Sequence, residues 1–209
     1  MNADIIMPPQ VAWATGRLTG EPVIAKTTRM RDLCGVFADA DAWQRHDPQQ
    51  VIYTVEMLDT PTPEGALFVG VTRLRAGTSG GEFYLTRGHF HQRREQGEVY
   101  FGLSGNGLLL LQNAQGEARL ESVCAGSVHI IPGHTAHRLI NTGDVPLCAL
   151  AVWPTVAGHD YAALAGGFLL GLSLPAAADV NGDMNNFFNK LGFASNTSQP
   201  QVWQGQAAG

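Results

Sequence analysis

The sequence predicts an all-β fold, a sandwich or barrel of short strands. Two observations carry this expectation. Between about residues 50 and 155, short apolar or alternating runs follow one another, each ended by a cluster of turn formers. The chain also carries 25 glycines and 11 prolines in 209 residues, which suits many turns better than a helical bundle.

Taken in order, the runs "VIYTVEML" and "GALFVGVTRLR" are rich in β-branched and aromatic residues and are separated by "DTPTPEG". After a polar stretch come "GEVYFGL", "GLLLLQ", "ARLESV", "SVHIIP", "HRLIN" and "LCALAVWP", punctuated by "SGNG", "NAQGE", "CAG" and "NTGDVP". "NAQGEA" reads as a hairpin loop, because Asn113 and Gly116 tolerate positive φ. Residues 28–46 are expected to hold a short helix and a connecting turn. A second helix is expected over 183–192, with Asp183 as cap and Gly192 as stop. The expected organisation is one domain over 1–209: a core at about 50–155, an N-terminal arm at 1–49 and a C-terminal extension at 171–209.

A net charge of −5 gives no electrostatic case for nucleic acid. The longest apolar run, "GGFLLGLSLPAAA", is too short to cross a bilayer. "MNADIIMPPQ" lacks the basic and apolar regions of a secretory signal, so a cytoplasmic location is expected. Cys34, Cys124 and Cys148 fall in no CxxC pair and read as free thiols, buried or half-buried, in a reducing compartment.

The chemistry concentrates in "TRGHFHQRREQGEVYFGLSGNG". Alternate residues of a strand share a face, so His89 and His91 point the same way. If "QRREQG" joins two antiparallel strands, Glu98 lies opposite the histidines, with Tyr100 on its own face. His137, beyond the Pro132–Gly133 turn, is a fourth candidate. Three imidazoles and a carboxylate suit Fe²⁺, Mn²⁺, Ni²⁺, Zn²⁺ or Cu²⁺. An HxH pair alone is a weak pointer and also fits chance on a polar loop. His129 and His134 read as ordinary, non-ligating histidines.

The spacing around these residues strengthens the metal reading. Gly105 follows Glu98, Gly126 precedes Pro132 by six residues, His137 follows Pro132 by five, and Asn141 follows His137 by four. This two-part pattern resembles the cupins, double-stranded β-helix (jelly-roll) proteins that hold a metal inside the barrel. Two positions depart from it: Phe83 and His134 stand where glycines are usual, and both concern turn geometry. More narrowly, T-x-G-H-x-H at 86–91, E-x-Y at 98–100, G-x-G at 105–107, P-x4-H-x3-N at 132–141 and "GHDY" at 158–161 are similar to the cupin-type glucose-6-phosphate isomerases. The likeness runs from about residue 27 to residue 170.

The resemblance implies His89, His91, Glu98 and His137 as ligands of one divalent transition metal per chain, with Fe²⁺ the first choice and Mn²⁺, Ni²⁺ or Zn²⁺ the others. It implies that Thr72, Thr86, Gly88, His159 and Tyr161 line the phosphate end of a sugar phosphate, with Tyr53 and Tyr100 near the sugar. Trp153 stands where the family often has tyrosine, which removes a hydroxyl from the site. Glu98, Tyr100 and His137 are the catalytic candidates: Glu98 as base, Tyr100 orienting the sugar hydroxyls, and His137 as ligand rather than base. Arg87 is expected to face solvent. A homodimer is implied. Both a proton transfer through a cis-enediol and a hydride shift between C1 and C2 remain open. Other readings of the same ligands are a dioxygenase, a different sugar isomerase, or a sugar-phosphate-binding cupin without turnover, since one fold hosts many reactions.

Overall fold

The computed structural model describes residues 5–20, 22–164 and 168. The N-terminal part is more strand-rich than the sequence suggested. β1 (Gln10–Ala12) and β2 (Arg17–Thr19) form a small hairpin, and β3 (Val23–Arg29) follows directly. A 3-10 turn at Met30–Leu33 and one short helix, α1 (Ala40–Gln44), then cover the expected helical stretch. Asp39 caps α1 by accepting a hydrogen bond from the Ala42 amide at 2.8 Å.

The remaining strands are β4 (Val51–Leu58), β5 (Leu67–Leu74), β6 (Thr78–Ser79), β7 (Glu82–Phe83), β8 (Glu98–Ser104), β9 (Gly107–Asn113), β10 (Ala118–Val123), β11 (Val128–Ile131), β12 (Thr135–Asn141) and β13 (Leu147–Pro154). They match the eight sequence runs closely. The short β1, β2, β6 and β7, and β3, had not been read as strands: four are too brief to show a period, and β3 passes from three apolar residues to four polar ones without apolar–polar alternation. The helix expected at 183–192 lies outside the described residues.

Every named pairing is antiparallel. One sheet runs β11-β8-β13-β5-β4-β3 and a second runs β10-β9-β12, with the extended segment 85–90 bridging to β12 through Leu85↔Ile140 and His89↔His137. The core lies within and beneath these two sheets. Leu108, Leu109, Leu139 and Val123 are fully buried in the smaller sheet. Leu18 of the N-terminal hairpin packs with Leu58, Val71, Leu103 and Cys148 on the larger one. This all-β arrangement is that of a double-stranded β-helix.

Turn chemistry explains the connections. In the β9–β10 loop only Gly116 takes the left-handed conformation, at φ 85°. Asn113 was expected to do so too. It acts through its side chain instead, its Oδ1 accepting from the Gln115 and Glu117 amides at 3.0 and 2.9 Å. Before β12, His134 has φ 60° and is the one non-glycine residue in that region among those described. The cupin-type glycine position is thus preserved in backbone geometry though not in residue identity. Cys148 is buried, whereas Cys34 and Cys124 are exposed, so the expectation of buried or half-buried thiols holds for one of three; all three are free.

Candidate metal centre and substrate pocket

His89 and His91 sit on an extended segment that pairs with β12, not with β8, so Glu98 is not their neighbour across a hairpin. Glu98 opens β8 in the larger sheet and reaches the histidines from the facing wall. His137 lies on β12 directly opposite His89. The loop between His91 and Glu98 is tied down from within. Arg94 donates from one guanidinium nitrogen to the His91 carbonyl at 2.9 Å and from another to Asp160 Oδ2 at 2.5 Å.

One ligand atom from each of His89, His91, Glu98 and His137 falls within 4.8 Å of the others, so the cluster could hold a metal ion. The hydrogen-bond inventory fits that use. His91 Nδ1 lies 2.8 Å from the Gln96 carbonyl, which fixes the Nδ1–H tautomer and frees the Nε2 lone pair toward the cluster. His91 Nε2 and His137 Nε2 approach Glu98 Oε2 at 3.2 and 3.0 Å. The second approach lacks hydrogen-bond alignment, and His137 Nε2 and His89 Nε2 are both buried without a partner. Buried unpaired imidazole nitrogens are costly unless something else satisfies them. Two unpaired imidazole nitrogens gathered beside the His91–Glu98 pair suit a divalent transition ion.

The electrostatics agree. Burial drives the His89 pKa far below its ordinary value, with the neighbouring His137, His159 and His91 adding to the effect, so the imidazole is neutral and able to ligate. Burial alone would raise Glu98, but His137 and His91 outweigh it and hold the carboxyl below its usual range. Burial likewise opposes a charged His91, and the bonds to Glu98 and the Gln96 carbonyl reverse the balance upward. Burial and the Glu98 charge push Tyr100 well above an ordinary tyrosine, which keeps its phenol a hydrogen-bond donor.

The cluster sits in the wall of a cavity of about 300 Å³. Tyr53, Thr72, Thr86, Gly88, His89, Glu98, Tyr100, His137, Trp153, His159 and Tyr161 all line it, while His91 stands behind, buried. The register accounts for the wall. Met57, Gly70, Ala151 and Tyr100 are successive cross-strand partners, so their side chains share the inner face. Thr86 Oγ1 accepts from the Leu139 amide at 3.0 Å and keeps its own proton to donate. Gly88 lines the cavity and has φ 74°, and a Cβ there would come 2.7 Å from Phe168, so both its backbone conformation and its packing demand glycine.

Two motif residues serve the frame. Asn141 is fully buried; its amide donates to the Leu74 and Val145 carbonyls, both at 2.9 Å, and its Oδ1 accepts from the Gly143 amide. Asp160 pairs its backbone with Phe90 and its carboxylate with Arg94. This docks "GHDY" against the HxH segment, with the His159 and Tyr161 rings 4.3 and 5.7 Å from that of His89. Arg87 is exposed, as expected, with its guanidinium 5.3 Å over the Tyr161 ring. His129 bonds Glu121 and Ser127 within the barrel and stands apart from the cluster.

Sequence reasoning missed seven lining residues: Ile24, Lys26, Thr28, Val55, Met57, Gly70 and Ala151. Three of them alternate along "IAKTT", a strand signal that was available but weak beside the apolar runs.

A double-stranded β-helix that gathers three histidines and a glutamate inside its barrel is a cupin with a candidate metal centre. The family model described as glucose-6-phosphate isomerase matches residues 27–174, and the chain belongs to that family. It is 41% identical over 139 residues to the glucose-6-phosphate isomerase of Thermococcus litoralis, covering 66% of this chain and 73% of that protein. The Pyrococcus horikoshii enzyme is 39% identical over 160 residues, 75% of this chain and 82% of its own length. A putative glucose-6-phosphate isomerase 1 of Rhizobium meliloti is 37% identical over 140 residues, covering 66% of this chain and 65% of that protein. Among solved structures, an oxalate decarboxylase from Lactobacillus farciminis overlays 52% of this chain and 30% of its own, at 19% identity and a TM-score of 0.41.

Proposed function

We propose that this protein is an enzyme interconverting glucose 6-phosphate and fructose 6-phosphate with the help of one divalent transition metal, Fe²⁺ first among the candidates. The observation that carries the reading is one cavity with two chemistries. A histidine–carboxylate cluster fills one part, and uncharged donors from Thr72, Thr86, Gly88, His159 and Tyr161 line another. A phosphorylated sugar needs both, whereas a dioxygenase has no use for a dedicated set of phosphate donors.

His89, His91, Glu98 and His137 would hold the ion, which supplies Lewis-acid stabilisation of the oxyanion that develops on the sugar. In the glucose-to-fructose direction Glu98 would act as the base that takes the C2 proton and delivers it to C1 by way of a cis-enediol, while a second proton passes from O2 to O1. The reverse direction moves the same protons back. Tyr100, protonated and buried beside His137, orients the sugar hydroxyls. His137 gives its lone pair to the ion and so cannot also carry the proton. Trp153 packs on Phe68 and contributes an apolar wall. The expected assembly is a cytoplasmic homodimer, for which Val99, Val128 and Ile130 offer an exposed apolar face.

The test is conversion of fructose 6-phosphate to glucose 6-phosphate by the purified protein as prepared, after chelation, and after return of Fe²⁺, Mn²⁺, Ni²⁺ or Zn²⁺. Activity should vanish with chelator and return with metal. Full activity in metal-free protein, or none with stoichiometric metal bound, defeats the reading.

A further inference from the structure

The candidate phosphate donors share a property: they are hydroxyls, a backbone amide and an imidazole, none a fixed cation. A phosphate monoester approaching a chain of net charge −5 needs a compensating charge. Arg87, the obvious candidate from sequence, lies 5.3 Å over the Tyr161 ring and does not line the cavity.

One fixed cation does. Ile24, Lys26 and Thr28 alternate along β3, so their side chains share a face, and all three line the cavity. Among the described residues, Lys26 is the only lysine or arginine in that lining, and no carboxylate pairs with it. The one lining carboxylate, Glu98, is committed to the histidines.

Register places this cation. Lys26 pairs with Val55 and Val55 pairs with Thr72, so the three form a row across neighbouring strands. Strands lie about 4.8 Å apart, which puts the Lys26 and Thr72 backbones about 10 Å from each other. A phosphate held at Thr72 fills part of that gap, and the flexible lysine stem closes the rest.

We infer that Lys26 is the cationic anchor for the substrate's phosphate and sets the preference for phosphorylated over free sugars, an inference that rests on the isomerase reading above. The sequence hides it because β3 belongs to the N-terminal arm, far from the motifs. A lysine at the exposed mouth can follow the phosphate during entry and release, as a point charge on a mobile stem.

The experiment compares the metal-loaded wild type with Lys26→Met, which keeps the stem, and Lys26→Arg, which keeps the charge. KM for fructose 6-phosphate should rise about ten- to a hundredfold in Lys26→Met, the scale of one hydrogen bond to a charged group. The fall in kcat should be smaller, and Lys26→Arg should restore most of the affinity. Calorimetric binding of inorganic phosphate should weaken in parallel. Unchanged KM and phosphate affinity in Lys26→Met would overturn the anchor, as would a wild type that binds no phosphate. A wild type that binds phosphate through Lys26 yet turns over no sugar phosphate would keep the anchor and discard the isomerase.

Discussion

Two neighbouring parts of the cavity wall are built differently. In the cluster, His91, Glu98 and His137 are buried side chains on two facing walls of the barrel, and His137 is 1% exposed. Beside it, with rings 4.3 and 5.7 Å from that of His89, His159 and Tyr161 stand exposed on a segment after the last strand. The cluster is held by the same packing that holds the fold. This exposed rim is held by a few local contacts: the Phe90–Asp160 bridge, the Arg94–Asp160 pair and the Asp160 bond to the Ala163 amide. The lesson is a division of labour. A group that takes part in bond breaking gains from an arrangement fixed before substrate arrives, whereas a group that binds phosphate must also let it go.

Replacing Glu98, the proposed base, breaks this comparison most directly. Glu98→Gln keeps the size of the side chain and removes its charge, so kcat should fall by about 10²–10⁴-fold, the usual contribution of a positioned acid or base. Metal content, read by elemental analysis, should fall less than activity because three histidines remain. If glucose 6-phosphate formed from fructose 6-phosphate in D₂O carries no deuterium at C2, followed by NMR in wild-type turnover, the result speaks against Glu98 as a solvent-exchanging base and for a ligand role alone.

A smaller effect is expected from a proposed phosphate donor. Thr72→Val preserves shape on a strand where β-branching suits the pleat and removes one hydroxyl. KM for fructose 6-phosphate should rise about tenfold, the lower range for a hydrogen bond to a charged acceptor. Metal content should not change. A kcat loss as large as that of Glu98→Gln would show that the cluster and the donors are not separable.

The same contrast governs what could be read from the sequence. The strands of the barrel carry long apolar runs, and each appears where its run predicts, because burial on the inner or outer face demands those side chains. The gathering of His89, His91, Glu98 and His137 into one cluster was also legible, since HxH, E-x-Y and the later histidine are short motifs on or beside such strands. Glu98 was assigned to the right cluster through the wrong geometry. Local spacing suggested a hairpin, but the β12 bridge at His89 and the β8 register put the carboxylate on the opposite wall. That is tertiary information which no local period contains. The Ile24, Lys26 and Thr28 face was missed for the same reason: a mostly exposed strand at a sheet edge, with no hydrophobic period, looks like a loop until its neighbour, β4, is in place.

The smallest change sharpens the comparison furthest. Asp160 does not itself line the cavity, so it is a positioning residue that acts through its neighbours His159 and Tyr161. Its pair with Arg94 is about one-third exposed on both sides, and such a pair contributes about 1 kcal/mol or less. Asp160→Asn keeps the backbone bridge to Phe90 and can still accept from the Ala163 amide, so it removes mainly the charge. His159 and Tyr161 should then be less firmly placed, and KM should rise about two- to fivefold, the scale of that pair. Arg94 also ties the HxH loop, through the His91 carbonyl. A purely structural loosening would therefore reach the cluster and lower metal content, whereas a rim-positioning role raises KM and leaves the metal alone. Elemental analysis beside the kinetics separates the two, and metal loss in Asp160→Asn would mean that the rim and the cluster share one support.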